Sequence, residues 1–199
     1  MIRSLAVAVF GVTAFLSLEG AQVYSYHCDK GLRFVAEVNS DASWLFLPKQ
    51  SVRTVKEKGV YRSERVRFVP EEMNTTIVIG DVQYHCQNSP EEAVWEAAKL
   101  QGVAFRALGN RPAWVLELLS DKELRFLTNF GRDIIRFKVI ESYSEPNAAE
   151  YKLRSQHNTL FLRIEKRTCQ ETLTGERYES TVYLNFDGKE LRGCGRALY

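Results

Sequence analysis

Two near-copies of one tetrapeptide constrain the fold of this chain more than any other feature. Ser25-Tyr26-His27-Cys28 and Gln83-Tyr84-His85-Cys86 bracket a segment in which apolar and polar residues alternate. Alternation with a period of two is typical of β-strands that bury one face. Six to eight short strands fit into these roughly sixty residues, which predicts a small antiparallel barrel or sandwich. We expect the two units to mark the ends of one domain, closed by a disulfide between Cys28 and Cys86.

The chain has 4 cysteines, which allow three disulfide connectivities. The spacing favours Cys28–Cys86 and Cys169–Cys194, because each of these pairs lies within one candidate domain. Either alternative would tie the two domains together. A zinc site does not fit the spacing, since the sequence contains neither Cys-x-x-Cys nor His-x3-His. We therefore predict one disulfide in each domain, and neither a metal nor another cofactor.

The N-terminus has the pattern of an export signal. Arg3 precedes the apolar run Leu5–Leu18, which Glu19, Gly20 and Ala21 interrupt. A basic start, a short apolar core and small residues at the exit are typical of a secretory signal peptide. The apolar run is shorter than the ~20 residues that a membrane span needs, although a retained anchor helix is the alternative. We predict a signal peptide over residues 1–21, a periplasmic or secreted location, and no stable membrane anchor after cleavage.

One helix separates two β-rich regions. Ser89-Pro-Glu-Glu92 has the form of a capping box, and Gly102 can end the helix that follows. The sequence after it again alternates between apolar runs and turn residues. We predict an all-β protein of two small antiparallel barrels or sandwiches, over residues 22–88 and 103–199. A connecting helix over 89–102 would join them, packed against one domain through Trp95.

Charge and motifs argue against two classes of function. The net charge of +2 is too small to indicate a nucleic-acid partner, and Arg132, Arg136 and Lys138 have the even spacing of one solvated strand face. The chain has 3 histidines and no Gly-x-Ser-x-Gly, phosphate-binding glycine loop or His-Glu-x-x-His. We therefore expect a protein that is not an enzyme and does not bind nucleic acid.

The histidines beside the first cysteine pair allow two interpretations. If Cys28 and Cys86 are cross-strand neighbours, His27, His85 and Asp29 project to the face opposite the bridge. Two imidazoles and a carboxylate are suitable ligands for Zn²⁺ or Cu²⁺. The other interpretation is that both histidines are ordinary surface residues, and we adopt it because a metal site needs a further aligned ligand.

The first domain resembles the bacterial inhibitors of c-type lysozyme. The resemblance covers about residues 23–88 and depends on Cys28-x-x-Gly31, Gly59-x-Tyr61, Phe68 and the closing Cys86. Members of that family are exported eight-stranded barrels with one such disulfide. The resemblance therefore implies a periplasmic inhibitor whose partner is a c-type lysozyme or a component of the cell wall or envelope. The alternative is a structural or stress-related envelope protein that inhibits nothing and binds other envelope components.

In that family a Ser-Gly-x-x-Tyr loop enters the lysozyme cleft. Its serine, together with a lysine from a later Phe-Trp-x-Lys-Gly segment, engages the catalytic carboxylates. Here the corresponding segments are 56–61, Lys-Glu-Lys-Gly-Val-Tyr, and 68–72, Phe-Val-Pro-Glu-Glu. Glu57 or Lys58 stands in place of the serine, and an acid stands in place of the later lysine. The resemblance implies a binding loop whose candidate residues are Lys56, Lys58, Gly59 and Tyr61.

The second domain resembles a group of uncharacterised, lipoprotein-like domains of bacterial envelope proteins. The resemblance covers about residues 103–199, and no known activity comes with it. Its motif residues are Gly109, Pro112, Trp114, Gly175, Tyr178, Gly193, Gly195 and Arg196. We expect Trp114 and Tyr178 to fill the end of a barrel, with stacking of Trp114 on a glycan as the alternative.

Overall fold

A computed structural model describes residues 20–119 and 123–199 of the chain. The chain divides into two compact units, residues 1–87 and 88–199. The predicted signal peptide falls on residues that, up to residue 19, lie outside the described ranges. Within those ranges no helix has the length and apolar character that crossing a membrane requires.

The first unit is a closed barrel of eight strands, each antiparallel to the next in sequence. The strands are β1 Gln22–Cys28, β2 Arg33–Val38, β3 Ala42–Leu47, β4 Gln50–Glu57, β5 Val60–Arg62, β6 Val66–Phe68, β7 Asn74–Ile79 and β8 Val82–Asn88. Because the chain runs up and down around the barrel, successive connections lie at alternate ends.

The alternation seen in the sequence separates the inside of this barrel from its outside. In β2 every second residue is buried, beginning with Phe34. Tyr26, Phe34 and Phe68 form an aromatic centre in which the Tyr26 and Phe34 rings stack at 5.2 Å and Phe68 meets both edge-on. Such offset and edge-to-face contacts are the preferred geometries of aromatic pairs.

The predicted bridge between Cys28 and Cys86 is confirmed. It joins β1 to β8, the first and last strands, which are neighbours where the barrel closes. The two Tyr-His-Cys units therefore lie on the two strands that meet where the barrel closes.

Helix α1 spans Pro90–Leu100 and joins the two domains. Ser89 occupies its N-cap position, but the Ser89 side chain makes no capping hydrogen bond, so this half of the predicted capping box is not formed. Gly102 follows the helix with a φ of 80°, a conformation that favours glycine. The expectation that Trp95 packs the helix on one domain is correct: its ring lies 5.5 Å from that of Tyr178 in the second unit.

The second unit contains another closed eight-stranded barrel. Its strands are β9 Val103–Asn110, β10 Ala113–Leu119, β11 Glu123–Thr128, β12 Asp133–Glu145, β13 Ala148–Arg154, β14 Thr159–Glu165, β17 Ser180–Phe186 and β18 Lys189–Ala197. Strand β18 pairs with β9 and closes the barrel. The predicted class, two antiparallel β-domains with one disulfide each and a short joining helix, is confirmed.

A short hairpin interrupts the second barrel between β14 and β17. It pairs β15, Cys169–Gln170, with β16, Arg177–Tyr178. The Glu171 carboxylate orders it by accepting hydrogen bonds from the backbone N–H groups of Leu173 and Thr174, at 2.9 and 2.7 Å. The predicted Cys169–Cys194 disulfide is also confirmed, and it fastens this hairpin to β18.

Candidate functional site

One end of the first barrel carries both segments that the lysozyme-inhibitor resemblance singles out. Connections 39–41, 58–59 and 69–73 follow β2, β4 and β6, so all three lie at the same end. We call these three connections the tyrosine rim, after the residues that hold them. The barrel thus brings the candidate binding loop and the later segment to the same end.

Two buried tyrosines fix the rim from below. The Tyr61 hydroxyl donates to the backbone carbonyl of Asn39 at 2.6 Å. The Tyr26 hydroxyl donates to the carbonyl of Glu71 at 2.7 Å and accepts from the Glu71 N–H at 3.1 Å. Burial raises the pKa of Tyr26 well above its ordinary value, so its hydroxyl keeps its proton. A rim held in this way loses little conformational freedom when it binds a partner.

The candidate binding loop is a two-residue hairpin turn between β4 and β5. Glu57 pairs with Val60, which leaves only Lys58 and Gly59 to connect the strands. Their φ angles are 50° and 86°, as a type I′ turn requires, and glycine adopts such angles without strain. Lys58 therefore stands at the apex of a narrow and exposed projection.

The four candidate residues of this loop divide into two groups. Tyr61 is only 3% exposed and points into the barrel, so it supports the turn and is not available to a partner. Lys56 lies on the same side as Tyr61, with its ammonium 5.4 Å from the centre of the Tyr61 ring. The exposed cations at this end are thus Lys58 at the apex and Lys56 beside it. The inward orientation of Tyr61 could have been predicted from the alternation of its strand, and its cross-strand partner Phe68 is buried in the same way.

Segment 69–73 contributes apolar surface to the same rim. Met73 is 71% exposed, and Val69 is also exposed, while the backbone of Glu71 is held by Tyr26. The rim therefore combines ammonium groups with exposed aliphatic side chains. The same rim also carries the exposed acids Asp41, Glu71 and Glu72, so its positive charge is confined to the apex of the β4–β5 turn and to Lys56 beside it.

The histidines of the two Tyr-His-Cys units line one open groove. It has a volume of about 630 Å³, and Glu71 and Asn74 also line it. The Asp29 carboxylate accepts a hydrogen bond from the backbone N–H of His85 at 3.1 Å. In residues 20–119 and 123–199 no group of three or more potential ligand side chains could hold a metal ion.

The second-domain motif builds the inside of its barrel. Trp114 is 3% exposed, and its ring covers two glycines on neighbouring strands, Gly109 and Gly193. A Cβ atom would lie 2.5 Å from Cε2 of the indole at Gly109 and 2.6 Å from Cζ2 at Gly193. The ring therefore fits only where these positions lack a side chain, and in this buried place it is not available for stacking on a glycan.

The rest of the motif lies on the outer surface of the barrel and in its turns, except Gly195, where a Cβ atom would meet the core residues Phe105 and Ala107. Arg196 lies 4.3 Å from the centre of the Trp95 ring, a cation–π distance, and Tyr178 packs against the same ring. A Cβ atom at Gly195 would lie 2.7 Å from the Arg106 carbonyl oxygen. Pro112 forms the β9–β10 turn after a cis peptide bond, and Gly175 turns the β15–β16 hairpin with a φ of 75°. Helix α1, β16 and β18 are thus joined through Trp95.

A buried charge cluster on the second barrel was not predicted. Glu117 lies between Arg106 and Arg125 on the neighbouring strands, with N···O distances of 3.6 and 3.0 Å. Arg106 also donates to the backbone carbonyl of Val94 in helix α1 at 2.6 Å. The alternation of apolar and polar residues along the three strands indicates that these side chains point outward from the barrel. Only the position of the helix shows that they are covered.

Comparisons of the chain with models of known families, with curated proteins and with solved structures return no match.

Proposed function

We propose that this chain is an exported, periplasmic binding protein whose first barrel inhibits c-type lysozyme by inserting the β4–β5 turn into the catalytic cleft. It acts by binding and not by catalysis. The observation that carries the proposal is the position of Lys58. Its ammonium stands at the apex of a two-residue turn, on a rim whose other two connections are anchored by buried tyrosines.

The chemistry of the target suits this apex. A lysozyme cleft contains two carboxyl groups that act on the glycosidic bond, and at least one of them is ionised during the reaction. Lysine presents a compact charge with three donors, so one ammonium can approach both groups. Lys58 then takes the part that a serine and a later lysine have in the resembling family.

The neighbouring side chains support this orientation. Glu57 pairs with Val60 on the outward-facing side of the hairpin, whereas Lys56 continues the inward row beside Tyr61. Met73 supplies exposed apolar surface on the same rim. A turn that enters the cleft would therefore place the Lys58 ammonium deepest, with the Met73 side chain nearer the mouth of the cleft.

The test is a lysozyme assay on a soluble chito-oligosaccharide with the purified chain and two lysine variants. Lys58→Ala removes the apex charge, and we expect at least a thirtyfold weaker inhibition, because truncating one partner of a buried charge pair costs about 2 kcal/mol or more. Lys49→Ala is the matched control, since Lys49 is exposed in the β3–β4 connection at the opposite end. Equal inhibition by both variants, or none by the parent chain, contradicts the proposal.

A further inference from the structure

The outer wall of the first barrel carries a set of exposed arginines. Arg53, Arg62 and Arg67 point outward from β4, β5 and β6 and are exposed. Among the described residues none of the three takes part in an ion pair. Two exposed cations of the second barrel, Arg136 and Lys152, by contrast reach Glu123 and Glu141, each at 2.7 Å.

Two of these arginines are direct cross-strand neighbours. Arg62 pairs with Arg67 in the β5–β6 ladder. Residues in such positions have Cβ atoms about 4.5–5.5 Å apart, and like charges there destabilise the sheet. A bound anion would relieve this repulsion, since guanidinium groups match phosphate geometry through paired N–H donors.

Apolar side chains lie among the arginines on the same wall. Trp44 is directly opposite Arg53 and is 43% exposed, and Val55 is directly opposite Arg62 and also exposed. We call Trp44, Arg53, Val55, Arg62 and Arg67 the cationic wall. Two acids flank it, Glu37 beside Trp44 and Glu57 at the end of β4.

We propose that the cationic wall binds an anionic phospholipid surface, with the arginines on the headgroup phosphates and Trp44 and Val55 in the interfacial layer. Tryptophan is enriched at the boundary between headgroups and acyl chains, where its ring is partly apolar and its N–H stays hydrated. Basic residues near an anionic leaflet add affinity one by one. The wall is the outside of a barrel, so a broad surface fits it better than an inserted peptide.

This surface is separate from the turn that carries the proposed inhibition. The wall faces outward from the sheet, whereas Lys58 lies at the barrel end. Lipid binding by this barrel wall would position the first barrel beside a membrane. Its test does not depend on whether the chain inhibits lysozyme.

The test is sedimentation of the whole chain with vesicles of phosphatidylglycerol and phosphatidylcholine in equal amounts. The double variant Arg62→Gln/Arg67→Gln is expected to lower the partition coefficient roughly thirtyfold, from the contribution of two basic residues near an anionic leaflet. The control Arg132→Gln/Arg177→Gln removes two exposed arginines from the second unit and is expected to change it less than threefold. Equal losses in both double variants overturn the assignment.

Tryptophan fluorescence supplies a second readout. Trp95 and Trp114 are buried, so a shift of emission to shorter wavelength on vesicle binding reports Trp44, and Trp44→Phe should abolish the shift. Vesicles of phosphatidylcholine alone should bind little, and high salt should release the chain from the mixed vesicles. Binding to both vesicle types alike, or capture by soluble polyglutamate without vesicle binding, overturns the assignment to lipid, and the second result indicates an acidic protein partner.

Discussion

The indole ring of Trp114 lies against the backbone of its cross-strand partner Gly109, where a Cβ atom would come within 2.5 Å of Cε2. The same ring covers Gly193 on β18, so one tryptophan is packed on two glycines at the point where the barrel closes. This relationship explains why the motif of the second domain combines glycines and a tryptophan that are far apart in sequence.

Gly109→Ala should destabilise the second barrel, because the added methyl group overpacks the core at a cost of about 1–3 kcal/mol. Trp114→Phe in the same chain should restore part of that loss, since the smaller ring leaves room beside residue 109. Gly193→Ala should be restored less, because its methyl group would come within 2.1 Å of the Leu108 backbone oxygen, whereas the backbone oxygen nearest to a methyl group at Gly109, that of Arg192, would be 2.8 Å away. Urea unfolding of the single and double variants measures the coupling, and additive losses at Gly109 and Trp114 would contradict it.

Glu117→Gln should lower the free energy of unfolding by about 3 kcal/mol, because it leaves Arg106 and Arg125 close together and covered without a counter-charge. Glu141→Gln is the matched control. Its partner Lys152 is exposed, and a screened surface pair contributes little. Thermal or urea unfolding gives both values, and a loss for Glu117→Gln no larger than that for the control would show that the cluster is not a stabilising one.

The two disulfides should differ in their contributions. Cys28 and Cys86 are 58 residues apart and Cys169 and Cys194 are 25 apart. The chain-entropy relation then gives about 4 kcal/mol for the first bridge and about 3.5 kcal/mol for the second. Paired Cys→Ser variants, each followed through the transition of its own barrel, check these values. Loss of the second bridge should in addition free the β15–β16 hairpin from β18, which hydrogen exchange of its amides would detect.

The chain should resist alkaline ionisation at three of its 9 tyrosines, Tyr24, Tyr26 and Tyr178, because burial raises the pKa of each. The pKa of Tyr26 is raised by burial, and the pKa of Tyr178 is raised by burial and by its hydrogen bond to Glu176. A raised pKa means that the stability given by the neutral form is complete below the ordinary value of 10.0 and is lost as pH rises through the folded pKa. In an ultraviolet titration Tyr26→Phe and Tyr178→Phe should each remove one late-ionising group. Two variants that ionise like the parent would contradict this assignment.

The sequence predicted the elements of both barrels because their cores depend on local alternation. The parity of Phe34, Phe68 and Ile77 is visible without knowing any partner strand, and the cysteine spacing indicated each bridge. Strand order was predictable as well, because in an up-and-down barrel each strand pairs with the next along the chain; the β15–β16 hairpin, inserted between β14 and β17, departs from this order.

Features that depend on contacts between distant segments could not be predicted in the same way. The bonds from Tyr26 to Glu71 and from Tyr61 to Asn39 depend on which connections share a barrel end. Likewise, the alternation along β10 predicts that Glu117 is an ordinary outward-facing surface residue. Its burial depends on helix α1, which covers this part of the barrel. The inward orientation of Tyr61, by contrast, follows from the alternation of its strand and could have been predicted, although the candidate loop was expected to present this ring to a partner.

The central claim is that the β4–β5 turn occupies a lysozyme cleft, and a competition experiment by calorimetry tests it most directly. The chain is titrated into c-type lysozyme that is either free or saturated with a chito-oligosaccharide that fills the cleft. The account predicts one-to-one binding to the free enzyme, strongly weakened by the sugar and by Lys58→Ala but not by Lys49→Ala. Binding that is unchanged when the cleft is filled, or no binding to the free enzyme, would contradict it.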